Sequence, residues 1–470
     1  MKPFDPAARP VGVVALARVV LSVFFRRVEV EGTERVPRDA PLMVVANHVN
    51  GIIDPAVLLG FLPVRPRFLA KSTLWSNPVL RPFLGLAAAI PVYRRQDPGV
   101  DASKNVETFA ACHEVLAAGG TIALFPEGRS HSEPALAELK TGVSRIVLEA
   151  EAKYGGIGSR ILPVGLTYDD KGRFRSRVLM AIGEPLDPAA ELALHAGDPQ
   201  AAVYSLTERV RDALEAVTLN FPSWEEARLI ERAAEIFARP SAELPSEPSL
   251  GERFDLRRAF IAGYAHLREA WPEEVEEVAR TVRAYDERLA HYRLWDVQVA
   301  AGYPTGRVAL FVLKSLALLL LRLPLAAAGI AVNYPPYWAV GRLARRLADS
   351  PDLPATYKVF GSLILYPLTW TSWSIAAGLA GGLWPALAAL ALGPLTGWFA
   401  LRFYERRRYF QGQARAFLLL RSAHPGVEEL RRLRGEVLGA VERLAEAYRT
   451  GATRASARST AASSTSSTSS

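Results

Sequence analysis

Over residues 28–190, short β-branched runs alternate with longer stretches whose apolar residues recur every three or four positions. The short runs fall at 28–30, 42–46, 67–70, 90–93, 122–125, 161–168 and 178–182, and their length and composition suit strands rather than helices. Between the fourth and fifth runs, Val106, Phe109, Ala110 and Leu116 keep helical spacing until Gly119-Gly120 stops them. Strands alternating with helices predict an α/β domain, a mixed sheet flanked by helices, over 28–190. A helical module is expected over 191–300, where Ala, Glu, Arg and Leu dominate, with the polar loop "PSAELPSEP" at 240–248 inside it.

The rest of the chain reads as a carboxy-terminal membrane helical region over 301–405. Residues 359–401 contain no Asp, Glu, Lys or Arg, and a crossing takes about 20 helical residues, so the stretch holds a hairpin divided at Gly381-Gly382. Lys358 precedes it and Arg402, Arg406, Arg407 and Arg408 follow it, which places both ends on the cytoplasmic side. Residues 308–332 are apolar but include Lys314, Arg322 and Pro324; spanning and lying in the interface both fit. Arg342, Arg345 and Arg346 suit a surface of anionic lipid. Residues 406–450 predict an amphipathic helix, and 451–470, almost all Ser, Thr, Ala and Arg, a disordered tail. At the other end, 1–27 reads as an amphipathic helix that seats the chain on a membrane; without a small-residue cleavage site it is not read as a secretory signal.

At 470 residues with 50% hydrophobic content, two or three structural units are expected. The excess of 56 Lys plus Arg over 48 Asp plus Glu, a net charge of +8, favours anionic partners. Basic residues flank apolar segments instead of alternating with aromatics, which argues against nucleic acid and for membrane lipids. The single cysteine, Cys112, excludes an internal disulfide and a Cys-built metal site. Cys112-His113 fits helix packing better than a nucleophile with its base. His195, His266, His291 and His424 lack ligand spacing and no H-E-x-x-H occurs, so no metal and no cofactor are expected. The absence of G-x-S-x-G argues against a covalent acyl-serine route.

The chemistry concentrates around "MVVANHVNGIIDPAVLL", residues 43–59, where Asn47-His48 follows one strand and Asp54-Pro55 opens a helix. Alone, Asp54 reads as a helix N-cap and His48 as a loop residue. Three further blocks change that weighing: "AIPVYRR" with Arg94 and Arg95, "FPEGRSHS" at 125–132, and "ILPVGLTY" at 161–168. In this order the four blocks resemble the glycerophosphate acyltransferase family over residues 30–190. The spacings N-H-x-N-x-x-x-D-P and F-P-E-G-x-S-H resemble the fungal-type branch acting on glycerol 3-phosphate or dihydroxyacetone phosphate, with Asn50, Ser130 and His131 matching it.

The resemblance implies acyl transfer from acyl-CoA or acyl-carrier protein to a phosphorylated glycerol-type acceptor in phospholipid synthesis. His48 would be the general base and Asp54 the carboxylate that fixes its tautomer. Arg94, Glu127, Gly128 and Arg129 would form the acceptor site, shared with Asn50, Ser130 and His131, because guanidinium groups grip phosphate oxygens. Oxyanion donors are sought among the backbone N–H groups near the His48 loop or of the helix it introduces. A lysophosphatidate acceptor is the alternative within this chemistry, and a non-catalytic lipid-binding membrane scaffold the alternative outside it. The catalytic domain is expected on the cytoplasmic face of a membrane.

Overall fold

In the computed structural model, the described residues are 11–76, 80–94, 101–238, 249–300, 305–347, 354–421 and 425–465. Arg95, the 240–248 loop, His424 and residues 466–470 lie outside them. The chain divides into two units, one of residues 1–220 with 339–363, the other of 221–338 with 364–470.

The described residues of the first unit contain seven strands, β1 (Arg27–Glu31), β2 (Leu42–Ala46), β3 (Arg67–Lys71), β4 (Ile90–Val92), β5 (Thr121–Leu124), β6 (Arg160–Tyr168) and β7 (Arg177–Ile182). They form one sheet in the order β1-β7-β6-β2-β5-β3-β4. Every neighbouring pair is parallel except β6 with β7, so the sheet is mixed, as the alternating pattern predicts. Helices α1 (Val11–Phe24), α2 (Ile53–Phe61), α3 (Leu80–Leu86), α4 (Asn105–Ala117), α5 (Gly142–Tyr154), α6 (Ala189–His195) and α7 (Pro199–Glu215) flank it. All five residues of β2 are buried, the mark of a central parallel strand covered on both faces. Val44, Ile53, Val57, Leu58, Leu162, Val164 and Met180 share one core with Leu21, Phe24 and Phe25 of the amino-terminal region.

The parallel arrangement decides where chemistry can gather. Strands β6, β2 and β5 are adjacent and run the same way, so their carboxyl ends meet at one edge, where open α/β sheets bind ligands. That edge receives Tyr168, the Asn47-His48 loop and the Phe125–Glu127 turn. β4 is reached through parallel β3, and delivers Arg94 to the same edge.

The two-unit division falls elsewhere than the expected boundaries in two places. Helices α6 and α7 belong to the first unit, which ends at 220 and not 190. Ala202, Leu206, Val210 and Leu214 give α7 a buried stripe, and α7 packs against α5 and β6. Helical composition marks helices and says nothing of which core they join. Residues 339–363 also return to the first unit: Ala355 and Val359 enter its core, Thr356 Oγ1 accepts the Ile52 N–H at 3.3 Å, and Lys358 Nζ donates to the Gly172 carbonyl at 2.5 Å.

The second unit is helical, with α8 (Trp224–Phe237), α9 (Leu250–Ala270), α10 (Pro272–Tyr292), α11 (Asp296–Ala300), α14 (Leu383–Arg421), α15 (Pro425–Thr465) and most of α12 (Thr305–Leu347) and α13 (Pro354–Gly381), whose end and start respectively fall in the first unit. A capping box of Ser249 with Glu252 starts α9, and Asp296 accepts from both Tyr285 and Arg434 in the interior, each at 2.9 Å. Gly382, at φ 85°, separates α13 from α14. Two described helices, α12 and α14, are long and apolar enough to cross a membrane. Only 22% and 17% of their most apolar windows are buried, which leaves broad apolar faces outward. α13 does not reach that measure, because Tyr366, Thr369, Thr371, Ser372 and Ser374 interrupt it; charge-free is not the same as apolar. α15 continues to Thr465, through a segment whose composition predicted a tail, and its Ala and Arg residues are good helix formers.

Candidate active site

Asn47 fixes the start of the site. β2 ends at Ala46, and the Asn47 carboxamide carries its ladder onward: Oδ1 accepts the Leu166 N–H at 2.7 Å and Nδ2 donates to the Leu166 carbonyl at 3.1 Å. A side chain thus imitates a backbone partner where the strand gives out. His48 follows, its ring stacked on Phe125 at 4.1 Å between centroids and 16° between planes. Its Nδ1 lies 2.9 Å from Asp54 Oδ2, and Nε2 has no hydrogen bond among the described residues.

Asp54 is not the cap of α2, since the N-cap position is Ile52 and no side chain caps it. Its carboxylate turns back over the loop. Oδ2 accepts the N–H groups of Val49 and Asn50 at 2.8 and 2.7 Å together with His48 Nδ1, and Oδ1 accepts the Tyr168 hydroxyl at 2.5 Å. A carboxylate only accepts, so Nδ1 of His48 carries the proton and Nε2 keeps the lone pair. Asp54 is 0% exposed and the His48 side chain 17%, an arrangement in which the acid is shielded and the base can be reached.

The Phe125–His131 turn holds the same loop from the other side. Glu127 Oε1 accepts the His48 N–H at 2.6 Å, and the His131 N–H donates to the His48 carbonyl at 3.0 Å. Glu127 Oε2 bonds His131 Nε2 and accepts the Ala137 N–H. The Glu133 N–H reaches His131 Nδ1 at 3.1 Å, so that nitrogen is an acceptor and Nε2–H is the donor to Glu127. Burial pushes the Glu127 carboxyl up to about 7, against the hydrogen bonds from His48 and Ala137, and burial lowers His131.

The expected acceptor residues therefore separate into two groups. Glu127 and His131 are buried and spend their polar atoms on the loop and on each other, and Asn50, 1% exposed, donates to the Lys171 carbonyl at 3.1 Å; these three hold the site together. Arg94 Nη1 donates to the Gly128 carbonyl at 2.8 Å, which draws the second block to the third. Gly128 makes that turn at φ 73°, Arg129 is exposed and Ser130 half-buried beside it. Among the backbone N–H groups of the His48 loop, those of His48, Val49, Asn50, Ile52 and Ile53 are already engaged, which narrows the expected oxyanion donors within the loop to Gly51.

Three residues of the site went unread in the sequence. Tyr168 stands at the end of a strand. Lys171 Nζ joins the Val49 carbonyl at 2.8 Å to Ser132 Oγ at 2.6 Å. Phe125 supports the imidazole. Of these Phe125 and Tyr168 had a local signal, as the first residue of the third block and the hydroxyl closing the fourth. Cys112, discounted as a nucleophile, is buried, and burial pushes its thiol up to about 12.

Comparison with known proteins matches residues 27–167 to the model named Acyltransferase and residues 230–449 to the model named glycerol-3-phosphate acyltransferase 2 C-terminal domain. An uncharacterized acyltransferase of Schizosaccharomyces pombe is 24% identical over 76% of this chain and 66% of its own. Glycerol-3-phosphate O-acyltransferase 2 of Saccharomyces cerevisiae is 27% identical over 58% of this chain and 38% of its own. The chain thus spans less than two thirds of the length of these curated relatives. Among solved structures, the 1-acyl-sn-glycerophosphate acyltransferase PlsC of Thermotoga maritima aligns with 24% identity and a TM-score of 0.33, over 44% of this chain and 78% of that one.

Proposed function

We propose that this chain, an acyltransferase-family domain followed by a glycerol-3-phosphate acyltransferase 2 type C-terminal domain, moves a fatty acyl group from a thioester to glycerol 3-phosphate at a membrane. The observation that carries the reading is the His48–Asp54 pair, with Nδ1 bound to a buried carboxylate and the opposite nitrogen unbonded. An alcohol is a poor nucleophile at neutral pH. His48 Nε2 takes the hydroxyl proton as the alcohol oxygen attacks the thioester carbonyl. The tetrahedral intermediate then expels the thiolate, breaking the C–S bond, and the imidazolium returns the proton to sulfur. Asp54 stabilises the imidazolium in between. Donor and acceptor react directly, with no acyl-enzyme and no cofactor.

The acceptor phosphate suits Arg94 and Arg129, brought near each other by the Arg94–Gly128 bond. The names of the Saccharomyces cerevisiae relatives favour glycerol 3-phosphate. An insoluble acyl product explains the membrane features. Leu16, Val19 and Val23 lie exposed along one side of α1, three and four positions apart as one helical face requires, while α12 and α14 supply candidate spans. The arginines after 401 and Lys358 favour a cytoplasmic catalytic domain.

Acceptor profiling tests the reading. Purified protein in mixed micelles, given acyl-CoA or acyl-carrier protein thioesters, should acylate glycerol 3-phosphate faster than lysophosphatidate. Preference for lysophosphatidate would move the reaction one step along the same synthesis, and a preference for dihydroxyacetone phosphate would change the acceptor alone. Binding of lipid without transfer to any acceptor would favour a scaffold.

A further inference from the structure

We propose that Tyr168 is a positioning residue for this reaction, its hydroxyl holding the second oxygen of Asp54 and so setting the basicity of His48. The proposal rests on the acyl-transfer reading above. The two oxygens of Asp54 have different tasks. Oδ2 serves the loop, with three donors, whereas Oδ1 accepts from Tyr168. A buried carboxylate oxygen depends on its donor, because a lost partner leaves it without water to turn to. The phenol is placed by the sheet and not by a loop: Tyr168 ends β6, pairs in register with Val178 of β7, and packs its ring on Phe25 at 5.8 Å. Burial and the Asp54 charge hold the phenol well above its ordinary range, so it remains a protonated donor wherever the enzyme works.

The consequence for catalysis follows from charge. A hydroxyl donating to Asp54 draws electron density from the carboxylate, and the carboxylate in turn stabilises the protonated imidazole less. Removing the donor makes Asp54 a stronger partner for Nδ1–H. The imidazolium is then favoured, the fraction of free base at a given pH falls, and the carboxylate is freer to rotate away from Nδ1. Charged and titratable groups face His48 from each element packed on it: Asp54 from α2, Tyr168 from β6, Glu127 and His131 from the turn after β5, and Lys171 from the loop after β6. Glu127, raised by burial to about 7, also faces the loop, but the Tyr168 hydroxyl bonds Asp54 and not Glu127. A limb of the pH profile owned by Glu127 would therefore not respond to the acidity of the phenol.

The test measures kcat and KM of full-length protein against pH. Tyr168→Phe should lower kcat by about 10-fold, leave KM for donor and acceptor in place, and move the acidic limb of the profile upward. Mono- and difluorotyrosine at position 168 keep the ring's shape and strengthen the donor, and they should move the limb downward in proportion. A limb that stays fixed across the fluorinated series, or a Tyr168→Phe kcat within about twofold of wild type, overturns the proposal. If Tyr168→Phe fails to fold, the fluorinated series decides alone. Wild type that transfers no acyl group to any acceptor defeats the acyl-transfer reading and this proposal with it, while an active wild type with an immovable limb defeats the positioning role only.

Discussion

Asp54 accepts four hydrogen bonds and Glu127 three, and together these two carboxylates tie the His48 loop to the strands on either side. They differ in what pH does to them. Glu127 rises from an ordinary value of 4.5 to about 7 through burial. A raised carboxyl contributes stability that is fully present below the unfolded value and is lost as pH climbs through the folded one. Relative to Glu127→Gln, wild type should therefore lose thermal stability between about pH 4.5 and about pH 7, by on the order of 3 kcal/mol at most. Melting of both proteins across that range reads the effect, and a difference that is flat or grows in the opposite sense would contradict it. At this scale His48 and Asp54 were legible because they lie six residues apart in one block. Tyr168 and Lys171 were not, since their bonds to Asp54 and the Val49 carbonyl cross 114 and 122 positions and exist only once parallel strands are laid side by side. The bonds Glu127 and His131 make to the His48 loop were hidden for the same reason: a motif gives residue types, and the direction in which a side chain points is a tertiary fact.

Among the elements, the strands were the most legible. Central parallel strands are apolar on both faces, so their runs stand out against polar turns, and the observed ends fall within one residue of those expected. Helices α3 and α5 gave no comparable signal, and the expected 359–401 hairpin treated its two arms as equally apolar. Within the second unit, Asn333 of α12 donates to the carbonyls of Gly329 and Gly393 and accepts from Trp370 Nε1, at 2.9, 3.2 and 2.9 Å, so one carboxamide joins α12, α13 and α14. Gly329 permits the approach, since a Cβ there would lie 2.1 Å from the Thr396 carbonyl oxygen. Polar bonds between helices in lipid contribute roughly 0.6 to 2 kcal/mol. Asn333→Leu should accordingly lower the melting temperature of the detergent-solubilised protein while leaving acceptor preference intact. An unchanged melting temperature would mean the three helices are held by packing alone.

For the whole chain, the sequence conveyed an α/β part, a helical module and an apolar helical part, but not the way the chain crosses between them. Residues 339–363 rejoin the first unit after more than a hundred residues of the second, a return no local pattern announces. The outward apolar faces of α12 and α14 predict that alkaline carbonate leaves the protein in the membrane pellet; release into the supernatant would reduce those helices to surface contacts. The central claim is that a neutral imidazole takes the acceptor's proton. The most direct measurement compares acyl transfer by wild type and by His48→Ala, matched for folding by their melting curves. The account predicts a fall of about 10²- to 10⁴-fold in the variant, and equal rates would contradict it.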